Sequence, residues 1–315
     1  MGREASAAAG ADPVANRVGS GFLILAGIVY GLLVFGASVR VHGAGLSCPD
    51  WPLCFGELVP RLDFRIFLEW GHRVLASLVS MGFLGLGGVV LARRELRARA
   101  GLPVGLAAAA LALQVVLGGL TVLKLLAFWS VTLHLLTGNT FFVLLLVTGM
   151  RLRARPLAGE VGGGVRMLAV ALGAAVLTQM TLGGLVSSNY AGLVCPDWPA
   201  CGAGIWFPTF EGLVGLQVFH RLGAYFVLTC AAALALTVRE HPSLRGPAFV
   251  VFAVVLGQAS LGIANVLMAM PVELAILHSA GADLVVASTT VLVFRALSLP
   301  REQTVGAWAA GSERA

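Results

Sequence analysis

Eight times along the chain, polar residues give way to an apolar run long enough to cross a bilayer core as a helix, about 20 residues for about 30 Å. The runs fall at about 20–39, 73–92, 102–123, 131–150, 167–187, 213–238, 247–268 and 275–295. This pattern predicts an all-α polytopic membrane protein with eight transmembrane helices. Residues 1–19 and 296–315 read as tails, and the Arg- and Gly-rich stretch 151–166 reads as a linker between two halves, 20–150 and 167–295. No cleavable signal peptide is expected, because 1–19 are small and polar and the first apolar run is long enough to remain a helix. Met1, Gly2 and Ser6 formally fit a myristoylation pattern, which eight spans would make redundant.

The halves repeat each other. Cys48-Pro49-Asp50-Trp51-Pro52-Leu53-Cys54 returns as Cys195-Pro196-Asp197-Trp198-Pro199-Ala200-Cys201. His72-Arg73 answers to His220-Arg221, Gln114 and Gly118 to Gln258 and Gly262, and His134 and Asn139 to His278 and Asp283, in the same order. Landmarks in one order at nearly one spacing mean an internal duplication. With four helices per repeat, both halves enter the membrane in the same sense. Two tandem four-helix bundles related by a pseudo-twofold axis along the membrane normal are therefore expected.

Charge sets the orientation. Fifteen of the 21 Lys and Arg, Arg3, Arg155 and Arg314 among them, fall on the side of the N-terminus; the other six are Arg40, Arg61, Arg65, Arg73, Lys124 and Arg221. By the positive-inside rule both termini are cytoplasmic and both Cys loops lie outside. The pI of about 9.5 has its source in these loops, and nothing resembles a nucleic-acid footprint. A composition of 58% hydrophobic and 11% charged residues, with a mean hydropathy of +0.91, excludes a soluble globular chain. In the first outer loop Phe64, Ile66, Phe67 and Trp70 interleave with Arg61, Asp63 and Arg65, which predicts a short amphipathic segment on the outer surface.

His72, His134, His220 and His278 are expected at or near the outward, N-terminal ends of helices 2, 4, 6 and 8, at similar depth. Ionisable residues inside a membrane are costly and mark functional sites. Two facing His per bundle suit a six-coordinate haem iron, and Arg73 and Arg221 stand beside them for propionates. A zinc or copper ion is the other metal reading, for which neither half offers further ligands at suitable spacing. His42 and His241 are unrepeated and are expected to face solvent.

Each Cys pair lies on the oxidising side, as a structural staple over the site or as a redox-active pair. Cys230 reads as a core residue. The halves differ most usefully at Glu69, whose counterpart is Gln217. Glu69 shares a helix face with His72, so it either moves protons in that half alone or is a surface residue. Asp283 is the one carboxylate well inside a span and should be paired or protonated.

These residues resemble the haem A synthase family, over nearly the whole span from helix 1 to helix 8. The resemblance rests on the 4+4 duplication, the Cys-Pro-Asp-Trp-Pro loops, Glu69-x-x-His72-Arg73 and the His on helices 4, 6 and 8. It implies oxidation of the C8 methyl of haem O to the formyl of haem A, in a bacterial cell membrane. It also implies a haem b cofactor on His220 and His278, and a substrate haem on His72 and His134 with Glu69 as the nearby acid. The implied pairings are Cys48–Cys54 and Cys195–Cys201. Implied partners are haem O synthase, by pathway logic, and an unidentified membrane electron donor or acceptor. Two other classes use parts of the same pattern. A dihaem b-type cytochrome carrying electrons from quinol would use the same four His but gives Glu69 no reason to be unrepeated. A transporter predicts midplane sites and broken helices.

Overall fold

In the computed structural model, residues 12–154 and 156–302 are described, so expectations for Met1, Gly2, Arg3, Ser6, Arg155, Arg314 and most of both tails lie outside them. All eight expected spans are helices: α1 Pro13–Val41, α2 Phe64–Ala92, α3 Arg94–Leu123, α4 Phe128–Leu152, α5 Gly163–Ser188, α6 Gly212–Thr237, α7 Arg245–Leu267 and α8 Val272–Ser298. Each is long and apolar enough to cross a membrane. Among the described residues the remaining elements are a 3₁₀ turn at Ala191–Leu193 and two isolated bridges.

Local chemistry explains where helices start. Asp12 accepts the Val14 N–H at 2.9 Å, with Pro13 in the first turn, a side-chain cap on donors that helix geometry leaves free. Asp63 likewise accepts the Ile66 N–H at 2.9 Å. That cap corrects one expectation: 64–70 is no separate surface segment but the first two turns of α2, which continues without a break to Ala92.

Each half closes as a ring: α1 packs on α2, α2 on α3, α3 on α4 and α4 on α1, and α5 to α8 do the same. Small residues permit the closest approach, since no hydrophobic drive acts between helices in lipid. At the α1–α4 crossing, a Cβ on Gly19 would meet the Gly149 carbonyl oxygen at 3.0 Å, and one on Gly149 would meet the Gly19 oxygen at 3.0 Å. The core follows the same division. Phe22, Phe83, Phe141 and Leu145 centre one cluster, and Leu172, Leu234, Leu244 and Leu292 the other. Cys230 packs at the edge of the second, as expected.

Between the halves, α1 packs on α8, α4 on α5, and α4 on α8. The first two contacts are each other's repeat equivalents and the third pairs equivalent helices, the reciprocal pattern that a twofold relation generates. The turns repeat too. Leu125 and Leu126 before α4, and Ala269 and Met270 before α8, all take positive φ. The linker is shorter than expected because α4 runs to Leu152 and α5 begins at Gly163. Val161 in it pairs with the backbone of Pro300 and Glu302, and Arg166 donates to the Leu299 carbonyl.

Candidate functional site

The four histidines lie on α2, α4, α6 and α8, all toward the end that carries the Cys loops. Each sits about two turns inside its helix. They were expected at helix N-termini; α2 starts at Phe64 and not near His72, and the dipole's influence falls off within the first turn. Helix-end electrostatics therefore does not act on them. α2 and α4 do not pack on each other but stand diagonally across the first ring, as α6 and α8 do in the second. His72 and His134 are close enough to interact electrostatically, as are His220 and His278.

One device positions all four rings. Each imidazole lays its Cε1 edge against a glycine on the preceding helix, where a Cβ would meet Cε1 at 3.0 Å for Gly36 and His72, 3.2 Å for Gly118 and His134, 3.1 Å for Gly183 and His220, and 3.0 Å for Gly262 and His278. Any larger residue there would force the ring to move.

Glutamines add a second constraint. Gln179 Nε2 lies 3.1 Å from His220 Nδ1 and donates to the His220 carbonyl at 2.9 Å. Gln258 Nε2 lies 3.2 Å from His278 Nδ1 and donates to the His278 carbonyl at 2.8 Å. Gln114 Nε2 reaches His134 at its Nε2, 3.3 Å away. The Nδ1 atoms of His72 and His134 are buried without a partner. Two buried imidazoles on diagonal helices at the same end of each apolar ring, each seated on a glycine, fit a haem iron held between two His. Zinc would need a third and fourth ligand, and among the described residues no group of three His, Cys, Asp or Glu gathers for one.

The loops strap down over this end. Cys48–Cys54 and Cys195–Cys201 are both disulfide-bonded. Arg73 Nη1 donates to the carbonyls of Asp50 at 2.8 Å and Leu53 at 2.6 Å, while Nη2 bonds Glu69 at 2.6 Å. Arg221 does the same in the second half, to Ala200 at 2.9 Å and Cys195 at 2.8 Å. Both guanidiniums, expected near propionates, are thus engaged with loop carbonyls. Within the first loop Asp50 accepts the N–H groups of Phe55 at 2.7 Å and Gly56 at 2.8 Å. Those backbone donors, Gly56 first, hold its carboxyl below the usual aspartate range. Trp51 lies on the face of Gly119, next to the glycine that seats His134.

Glu69 is no surface residue: it is 5% exposed and accepts the Cys48 N–H at 2.8 Å besides the Arg73 bond. Gln217, equally buried, donates instead to the Gly192 carbonyl at 3.2 Å. Arg40 reaches across from the first half to within electrostatic range of His278. Deeper in, Asn139 Nδ2 donates to the Leu135 carbonyl at 3.2 Å, and its repeat partner Asp283 is buried on α8. His42 is not solvent-facing. It is half-buried, its Nδ1 lies 2.8 Å from the Ser38 carbonyl, and its ring packs on Phe64. His241 bridges Glu160 O and the Ser243 N–H, so it too has a structural post. Gln179, Gly36 and Gly183 were missed from the sequence, and Gly118 and Gly262 were read only as repeat landmarks. The Gln-x3-Gly spacing, present at 114–118, 179–183 and 258–262, was the available signal.

Fold and site together define a polytopic membrane protein in which two repeated four-helix bundles each carry a facing histidine pair at one end. The chain belongs to the COX15-CtaA family, described as cytochrome oxidase assembly protein, which matches residues 21–66 and 61–290. Among its relatives, the Heme A synthase of Shewanella oneidensis is 30% identical over 302 residues, covering 82% of this chain and 90% of that protein. The Heme A synthase of Bradyrhizobium sp. (strain ORS 278) is 30% identical over 337 residues, covering 90% and 91%. That of Caulobacter vibrioides is 29% identical over 321 residues, covering 86% and 94%.

Proposed function

We propose that this chain is a haem A synthase, which oxidises the C8 methyl of haem O to the formyl of haem A with water as the oxygen source. The observation that carries the assignment of roles is the asymmetry of two otherwise matching sites: a buried carboxylate, Glu69, beside one histidine pair, and the uncharged Gln217 beside the other. A dihaem electron carrier would have no use for that difference.

The resident cofactor is haem b, held by His220 and His278; when bound it supplies a redox-active iron. Its site is the more fully constrained, since both ligands have an amide on the ring and on the backbone carbonyl. The substrate, haem O, lies between His72 and His134. Glu69 stands one turn before His72, and its carboxylate takes a proton released as the methyl is oxidised. Arg73 keeps that carboxylate and the Cys48–Cys54 loop in one position, and Arg221 does the same for the second loop; contact with a propionate would come in addition to these bonds. Trp51 and the loop cover the site against bulk water. The disulfides are staples for these covers. The fifteen Lys and Arg on the other side support a reading with both termini in the cytoplasm and the histidine end outward, in a bacterial plasma membrane. Haem O synthase as supplier and a membrane electron acceptor complete the expected partners.

The test is haem extraction from protein purified with and without a haem O supply, read by chromatography and mass spectrometry. Haem B alone without supply, joined by haem O, a hydroxylated intermediate or haem A with supply, is the expected result. Two haem B per chain under both conditions would overturn it in favour of the dihaem cytochrome.

A further inference from the structure

His72 differs from the other three histidines in what stands behind it. His134, His220 and His278 each have a glutamine amide at the ring, from Gln114, Gln179 and Gln258. Each amide tucks against a glycine on the histidine's own helix, Gly138, Gly223 and Gly281 respectively. The two residues form a set, because the glycine leaves room for the amide. In the repeat relation that matches Gly36 to Gly183 and His72 to His220, Gln179 corresponds to Leu32 and Gly223 to Leu75. Both leucines are half-buried. Amide and glycine are absent together, with apolar side chains in both places. His72 Nδ1 is buried with no partner, as is that of His134, and besides Gly36 the ring meets the edge of Phe35, at 6.1 Å between centroids.

A ligating imidazole is held in orientation, and made more basic, by an acceptor for its second N–H. A glutamine can supply one: its amide offers both an acceptor and donors, and rotation of the terminal group exchanges them. The Oε1 atoms of Gln114, Gln179 and Gln258 are all buried with no other partner. Gln179 and Gln258, which lie at Nδ1 of His220 and His278, can therefore take that proton once Nε2 binds iron, while Gln114 lies at the other ring nitrogen of His134. Leu32 offers His72 nothing of the kind. Resting on the assignment of haem O to the first half, we infer that His72 is the exchangeable ligand of the substrate site, made so by Leu32 and Leu75. The gradation fits a site that must release its occupant every turnover beside one that must not: amide on ring and backbone for His220 and His278, on the ring alone for His134, on neither for His72.

The experiment transplants the missing pair. Protein carrying L32Q and L75G is purified with bound haem O beside wild type, and transfer of haem O to excess apomyoglobin is followed optically. Outer-sphere partners of metal ligands change affinity by about 10–100-fold. Haem O release should therefore slow by on the order of 10-fold in the double variant, with haem B content unchanged. Release within about twofold of wild type, in protein that keeps its haem B, would overturn the inference. The reverse variant, Q179L, guards against misfolding of the first: it should shed haem B to apomyoglobin faster than wild type, and an unchanged rate would equally overturn the role given to the amide. The parent assignment fails separately and recognisably, if His220→Ala strips haem O and leaves haem B in place.

Discussion

Asn139 and Asp283 occupy the same position in the two repeats, and both are buried on the helices, α4 and α8, that pack on each other between the halves. Both are 4% exposed, and Tyr30 of the first half donates to the Ala280 carbonyl at 3.3 Å beside them. Polar contacts between membrane helices contribute modestly, about 0.6 kcal/mol on average and up to about 1.7.

Asp283→Ala removes a buried polar side chain from the α4–α8 contact. It should lower stability in detergent by about 0.6–1.7 kcal/mol, whereas Asp283→Asn, which keeps the size and polarity of the side chain, should fall by less. Thermal unfolding of both variants beside wild type checks this. Equal losses would show that Asp283 acts through its charge and not through a neutral polar contact.

The glycine shelves give a graded prediction. Gly183→Ala and Gly262→Ala each place a methyl within 3.1 and 3.0 Å, respectively, of a histidine Cε1. Overpacking of this kind costs about 1–3 kcal/mol, here against the ring orientation that binds resident haem. Haem B per chain, measured as the pyridine haemochrome, should fall in both. Gly27→Ala, with nothing within 4 Å of its added methyl, should leave haem content at the wild-type level.

How much of this was readable from sequence follows from the range of each interaction. The eight helices and the repeat were legible because apolar run length and motif spacing are properties of the chain itself. The start of α2 was not: Phe64, Phe67 and Trp70 beside Arg65 look interfacial, and only Asp63 as N-cap reveals a continuous helix. The ring-on-glycine contacts join different helices, so no local pattern announces them. Gln114 and Gln258 stood out as repeat landmarks without a reason. Gln179 escaped because its counterpart in the first half is Leu32, and that break in the repeat is where the two sites diverge.

Asp50 ties the first Cys loop internally, and its lowered native pKa fixes the sign of the pH effect. The bonds from Gly56 and Phe55 favour the carboxylate, so their contribution is fully present above the ordinary aspartate pKa of about 3.9. It is lost as pH falls through the lower native value. Trp51 fluorescence should stay flat from neutrality to about pH 5 and change only in stronger acid. In Asp50→Asn that acid step should be missing.

The Cys48–Cys54 bond and Arg73 hold the same loop, and their relative weight separates a staple from a redox couple. A disulfide closing so short a loop contributes about 2 kcal/mol, while Arg73 would still bond the carbonyls of Asp50 and Leu53 after its loss. Replacing both cysteines by serine should therefore lower thermal stability but leave haem A formation measurable. Arg73→Leu frees loop and Glu69 together, and should reduce product more than the double serine variant does. Complete loss of product in the serine variant, with haem B retained, would assign the pair to electron transfer.

Glu69 and Gln217 are the residues on which the division of labour between the halves rests. Glu69→Gln preserves size and the acceptor for the Cys48 N–H, but it removes the charge facing Arg73 and the group able to take a proton. General-base groups contribute about 10²–10⁴-fold. The variant should keep haem B and bind haem O while haem A falls by at least about 10²-fold, with haem O or its hydroxylated form accumulating in the extract. Gln217→Glu makes the complementary change in the other half, and it should not restore product when combined with Glu69→Gln, because the acid would then stand beside the resident haem. Wild-type haem A yield from Glu69→Gln would show that the carboxylate serves only to anchor the loop through Cys48 and Arg73.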